Sequence, residues 1–158
     1  MLTQGSRARS LELLLRSGLL ADVAFFRVVD GFMAQGGLPG IPALAGVWNR
    51  SNITDDPPTQ SNTAGMVTFA AGGTPNTRAT QFFINLVDNS RLDPMGFAPF
   101  GRVRDMTAVS RLYSGYGDAP PNGRGPNQGR IVREGNTYLR ASFPELDYIE
   151  RARIVPAE

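Results

Sequence analysis

At 158 residues the chain suits one domain with a sizeable core, since a chain of this length hides roughly 68–70% of the surface it exposes unfolded. It has no cysteine and no histidine, which excludes disulfides, thiolate or imidazole catalysis and metal sites built on either side chain. All 16 basic residues are arginine and are scattered along the chain against 14 acidic residues; at a formal charge of +2, the pI near 9.5 is a weak sign of nucleic-acid binding, and no nucleic-acid partner is expected.

The 18 glycines and 12 prolines favour short strands joined by irregular loops over a helical bundle. Residues 8–17, ARSLELLLRS, place Leu11, Leu14 and Leu15 on one helical face, with Gly18 positioned as a left-handed cap, so a short amphipathic helix is predicted. Glu12 and Arg16 interrupt the apolar opening and no small-residue cleavage site follows, so no secretory signal is expected. No run approaches the ~20 apolar residues of a membrane helix. A location in solution, cytoplasmic or organellar rather than secreted, is the expectation, and the sequence names no compartment beyond that.

Next, VAFFRVVDGFMAQGG reads as a strand from Val23 to Val29, a turn at Asp30-Gly31 and a second strand from Phe32. Residues 38–64 lack periodicity and read as a long surface loop anchored by Trp48. GMVTFAA from Gly65 is a third strand, GGTPNTRAT a tight irregular loop, and QFFINLV a fourth strand. In that strand Phe82, Ile84 and Leu86 share the natural core face, while Gln81, Phe83 and Asn85 share the other. FAPFGRV is a further strand, and DMTAVSRLYSG from Asp105 carries an N-cap candidate followed by Met106, Val109 and Leu112 at helical spacing. After the loop GYGDAPPNGRGPNQG, the tail from Arg130 is partly helical to Pro144, and LDYIERARIV reads as a last strand. The pattern alone implies an antiparallel barrel or sandwich with flanking helices, and names no function.

Three blocks go further. FFRVVDGFMAQGG, GMVTFAAGGTPNTRATQFFINL and RLDPMGFAPFGRV, spread over residues 25–103, resemble in order and spacing the signature blocks of the cyclophilin-type peptidyl-prolyl cis/trans isomerases. The likeness is to a divergent bacterial-type branch with a long insertion before GMVTFA and an extended C-terminal segment. It implies a mainly β fold, a cyclophilin-like antiparallel β-barrel of eight strands capped by two helices, with the active site on its outer face. Family members begin with a strand or hairpin before the first helix, which this chain reaches almost at once; the expectation is a barrel lacking that first strand or hairpin, with an unpaired edge beside Phe25 and Phe26. One domain over 1–158 is expected, with a first helix at 8–17, the signature core at 23–103 and the C-terminal segment at 117–158.

The resemblance implies an enzyme that isomerises X-Pro bonds in peptides or unfolded proteins, without metal or organic cofactor. It assigns Arg27 the role of donor to the prolyl amide, and a permanently charged planar side chain inside an apolar strand is poorly explained as core. The plainer alternative is a surface arginine or an ion pair with Asp30 or Asp22. Phe32, Met33, Phe83 and Leu92 match positions that line the proline pocket, although each alone could be ordinary core. Gln35 and Gln81 fall where the family binds substrate backbone or orders the arginine; alone, each could be a surface amide. Ala70 matches a small residue that leaves room for the peptide. Three departures stand beside these: Ala71 replaces an amide, Arg91 stands where a tryptophan accompanies cyclosporin sensitivity, and Phe97 is nearest to a histidine of many members. The competing reading is a non-catalytic interaction module or structural subunit of a larger assembly that holds a protein partner in the pocket or at the N-terminal edge.

Overall fold

The computed structural model describes residues 6–155, with side chains from Arg9 onward. Helix α1 (Ser6–Arg16) forms where the leucines predict it, with Leu14 buried and Leu11 and Leu15 packed in the same cluster. The Ser17 and Leu19 N–H groups donate to the Leu13 and Leu14 carbonyls, closing the end at Gly18 (φ 70).

The apolar run expected as one strand from Val23 to Val29 is divided into β1 (Val23–Ala24) and β2 (Arg27–Val29). β2 turns through Asp30-Gly31 into β3 (Met33–Gly36), with Arg27 opposite Gln35 and Val29 opposite Met33. β1 pairs instead with β7 (Tyr148–Ile149), close to the end of the described chain. At the break, Phe26 enters a cluster with Leu38, Ile131, Tyr138, Leu139 and Leu146, largely supplied by helix α3 (Gln128–Ser142). The edge expected to lie open beside Phe25 and Phe26 is therefore covered: β7 pairs with β1 and the Phe25 N–H donates to the Asp147 carbonyl at 2.9 Å.

Two local expectations are corrected. The segment 38–64 is not all loop, because Pro42 occupies a first-turn position, where its missing N–H is no loss, and starts helix α2 (Pro42–Trp48). The segment from Asp105 is not a helix: the Asp105 carboxylate accepts from the Thr107 N–H, but only a 3-10 turn, Val109–Arg111, follows. Thr107, Val109 and Ser110 are weak helix formers, and Asp147 draws the chain away by accepting the Tyr113 N–H. The second capping helix is α3, which carries a break at Gly135 (φ 60, ψ −147). There the Gly40 carbonyl approaches so closely that a Cβ would lie 2.1 Å from it, and the next residue, Asn136, donates its N–H to that carbonyl at 2.8 Å.

With β4 (Met66–Phe69), β5 (Phe82–Asn85) and β6 (Pro99–Arg102), the main sheet is antiparallel in the order β2-β3-β5-β4-β6. The mainly β architecture with capping helices is as expected. The registers place Val28, Ala34, Ile84 and Val67 in one row across the sheet, beside the row Gly36, Phe82 and Phe69. On that face Phe69 and Phe82 pack with Phe100, Leu14, Leu19 and Leu20, so Phe82 and Ile84 do face a core. The opposite face is largely covered as well: Gln35, Phe83, Thr68, Met33 and Asn85 are buried, with Leu92 of the 3-10 helix Ser90–Met95 packed against Met33 and Phe83, while Arg27 and Val29 on β2 are only part-buried. Among the described residues β6 pairs only with β4, and beside it a cavity of about 490 Å³ opens between Leu11, Leu20, Phe82, Ile84, Phe100, Arg153 and Val155. No helix among the described residues is long and apolar enough to cross a membrane.

Candidate active site

Alternation along the strands sends Arg27, Gln35 and Phe83 to the same side of the sheet in adjacent strands, so an arginine, an amide and a ring stand in a row. The Arg27 Nη1 donates to Gln35 Oε1 at 3.0 Å, and Gln35 Nε2 donates to Gln81 Oε1 at 2.9 Å. The plainer alternative, an ion pair with Asp30 or Asp22, is not what forms. Arg27 instead pairs with Asp118, while Asp22 holds Arg140 and Asp30 accepts from Ser114. Hydrogen bonds from Arg27, outweighing burial that would raise it, hold the Asp118 carboxyl below its ordinary 3.8, with help from the Ala119 N–H.

Beside this row lies an apolar wall of Met33, Phe83 and Leu92, with Val29, Phe32, Ala70 and Phe97 against it. The Phe83 and Phe97 rings meet edge to face at 5.8 Å. The wall is held from behind by four buried polar residues, Asn62, Thr68, Asn85 and Asn89. Asn62 Nδ2 donates to Asp93 Oδ1 and to the Phe97 carbonyl, each at 2.7 Å, and Asn62 Oδ1 accepts from Thr68 at 2.8 Å. Asn89 Nδ2 donates to the Phe32 carbonyl and to Asn85 Oδ1, each at 2.9 Å. Unpaired, such amides would cost roughly 1–3 kcal/mol each. Paired at every side-chain group except Asn89 Oδ1, they fix the backbone that presents Phe32, Leu92 and Phe97.

The resulting cavity has a volume of about 330 Å³. Arg27, Phe32, Met33, Gln35, Ala70, Ala71, Gln81, Phe83, Leu92 and Phe97 all line it. Asn49 after α2, Gly72, Thr77 and Ala79 of the tight loop, and Gln128 at the start of α3 complete the lining. The Arg91 guanidinium lies over the Phe32 ring, 4.9 Å from its centre. Among the described residues no group of three or more acidic side chains converges to hold a metal ion.

Residues 8–128 match the family described as cyclophilin type peptidyl-prolyl cis-trans isomerase/CLD. The chain belongs to the cyclophilin family. It is 36% identical over 107 residues to peptidyl-prolyl cis-trans isomerase B of Escherichia coli strain K12, covering 61% of this chain and 64% of that protein. It is 32% identical over 130 residues to peptidyl-prolyl cis-trans isomerase-like 1 of Gibberella zeae, covering 77% and 78%. The chain thus spans just under two thirds of the Escherichia coli relative. A crystal structure of a Cryptosporidium parvum cyclophilin type isomerase matches with a TM-score of 0.58 at 24% identity, covering 72% of this chain and 73% of that one. The same parasite protein crystallised in the presence of the dipeptide Ala-Pro matches with the same TM-score at 23% identity, covering 77% and 78%. These structures share the cyclophilin fold.

Asp118, Asn49, Thr77 and Gln128 escape a reading by sequence. Asp118 stands 91 residues from Arg27 in a stretch whose glycines and prolines announce only a loop. The one available signal is physical: an arginine in an apolar strand needs an anion, and the sequence alone does not choose among its 14 acidic residues.

Proposed function

We propose that this cyclophilin-family chain is a peptidyl-prolyl cis/trans isomerase acting on X-Pro bonds in peptides or unfolded proteins, assisting folding without a metal or organic cofactor. The observation that carries this reading is the convergence of a partly exposed guanidinium, two linked amides and an apolar wall on one cavity of about 330 Å³. An X-Pro bond prefers trans by only about 0.5–1 kcal/mol, yet exchanges over tens to hundreds of seconds because twisting the amide sacrifices resonance. Catalysis requires a grip on the ring and a donor that favours the pyramidal nitrogen of the twisted amide over the planar ground state. Phe32, Met33, Phe83, Leu92 and Phe97 form the seat for the proline ring. Arg27 supplies the donor, Gln35 steadies it, and Gln81 with Ala70 and Ala71 borders the path of the extended peptide. No proton or leaving group moves, which suits a chain without histidine or cysteine. We read residues 1–158 as one unit, in solution and cytoplasmic or organellar.

The deciding experiment is a protease-coupled proline isomerisation assay on the folded parent and Arg27→Ala. Loss of a dominant electrostatic donor is expected to lower the rate roughly 10²–10³-fold with little change in stability. Equal rates would remove Arg27 from the mechanism.

A separate observation favours a protein partner as well. The cavity of about 490 Å³ beside β6, which pairs only with β4 among the described residues, offers an apolar lining to an extended segment. Leu11→Asp is expected to abolish self-association or partner capture, measured by ultracentrifugation, while leaving isomerisation intact. A parent that binds proline peptides without isomerising them would instead support the non-catalytic module.

A further inference from the structure

The loop that holds Arg27 is built for that purpose. Arg27 Nε donates to Asp118 Oδ1 at 2.7 Å and Nη2 donates to Oδ2 at 2.8 Å, a side-on fork in which the carboxylate fixes the plane of the guanidinium. Of the five N–H groups of a guanidinium, these two and the Nη1 bond to Gln35 occupy three, leaving one on each Nη for a substrate. Both side chains are about one-quarter exposed, at 26% each, so the pair is shielded more than an ordinary surface pair.

The carboxylate is itself held. The Ala119 N–H donates to Asp118 Oδ1 at 2.7 Å, and the Gly125 N–H donates to the Asp118 carbonyl at 2.8 Å. At Gly123 a Cβ would lie 2.2 Å from that same carbonyl oxygen, so the loop folds back on Asp118 at a distance only glycine permits. Gly117 bridges to Val28, the neighbour of Arg27 on β2, fastening the loop to the strand it serves. Asp118 does not line the cavity, so any influence on a bound peptide passes through Arg27.

We propose that Asp118 is the positioning residue of the isomerase, setting the guanidinium plane so that the free Nη N–H groups of Arg27 meet the prolyl nitrogen in the twisted state. The role rests on the isomerase reading above. It requires that Asp118 matter only while Arg27 is present.

The test is a double-mutant cycle on the full chain in the isomerisation assay: parent, Asp118→Asn, Arg27→Ala and the double variant, with Asp118→Ala as a second probe and thermal melting of each. Asp118→Asn is expected to lower kcat/KM about tenfold and Asp118→Ala up to about 10²-fold, chiefly through kcat, because misplacing a catalytic donor by an ångström has that scale. In the Arg27→Ala background the same change should alter the rate by less than about twofold. The Arg27 Nε–H resonance in a 15N spectrum, slow to exchange in the parent, should broaden in Asp118→Asn, which keeps the side chain's size and reports even if Asp118→Ala fails to fold. Parent-like activity in Asp118→Asn would overturn the role alone, as would an equal loss in both backgrounds. A folded parent inactive on X-Pro peptides would overturn the isomerase reading, and this role with it.

Discussion

The two faces of the central sheet are both largely buried but are held by different forces. On one, Phe69 and Phe100 pack with ring centres 4.4 Å apart among Leu14, Leu20 and Phe82, and a cavity of about 490 Å³ remains beside them. On the other, directional hydrogen bonds among Asn62, Thr68, Asn85, Asn89 and Asp93 fix the backbone that carries Phe32 and Phe97 into the candidate site. Apolar packing rewards area and tolerates more than one arrangement; hydrogen bonds reward one geometry. The difference teaches that the apolar face supplies stability and the polar face supplies position.

Phe69→Ala should test the first half hardest. Truncating a fully buried ring is expected to remove about 3–5 kcal/mol in urea unfolding, while the folded fraction keeps the parent's rate in the isomerisation assay to within about twofold. A loss below about 1 kcal/mol would mean that the neighbouring cavity lets the core collapse freely. Asn62→Ala is expected to remove less, about 2–3 kcal/mol, yet to lower kcat/KM of the folded protein, because the Phe97 carbonyl loses its side-chain donor and Asp93 one of its three. Unchanged activity there would break the division between the faces.

Of the two faces, acid should act on the polar one. Burial pushes the Asp93 carboxyl up, but hydrogen bonds from Ser61 and from the Asn62 side chain and backbone prevail and hold it below 3.8. Its folded value is depressed, so the stability it contributes is present above the unfolded value of about 3.9 and is lost as pH falls through the folded one. Asp118, depressed by Arg27, acts in the same window. Urea midpoints between neutral pH and about pH 2.5 should therefore fall for the parent, less steeply below about pH 4 for Asp93→Asn, and with parental slope for Phe69→Ala. An unflattened Asp93→Asn curve would remove Asp93 as a contributor. The smallest effect on stability, within about 0.5 kcal/mol, belongs to the exposed Arg91→Trp. That variant should nonetheless bind a cyclosporin-type macrocycle more tightly than the parent in a fluorescence titration; equal affinities would clear Arg91 of responsibility for ligand choice.

The signature residues were legible because strand alternation and the family blocks agree: Arg27, Gln35 and Phe83 share a face by register, and Phe32, Leu92 and Phe97 arrive at its rim by turns that the blocks carry. What escaped was set by contacts distant in sequence. The division of the first apolar run at Phe25–Phe26 depends on α3 and β7, more than 100 residues later, and no local propensity marks it. Helix α2 is seven residues long and buries only Ala45, so its apolar period is too short to stand out from a loop, although Pro42 was a legible start. Asp105 is a legible cap for a helix that tertiary contacts at Tyr113 then deny.

The break at Gly135 ties two distant segments together. The family match ends at residue 128, where α3 begins, and the chain just before α2 rests its Gly40 carbonyl in the gap that Gly135 leaves. A side chain at position 135 would meet that carbonyl, so Gly135→Ala should disturb the 38–42 segment along with α3.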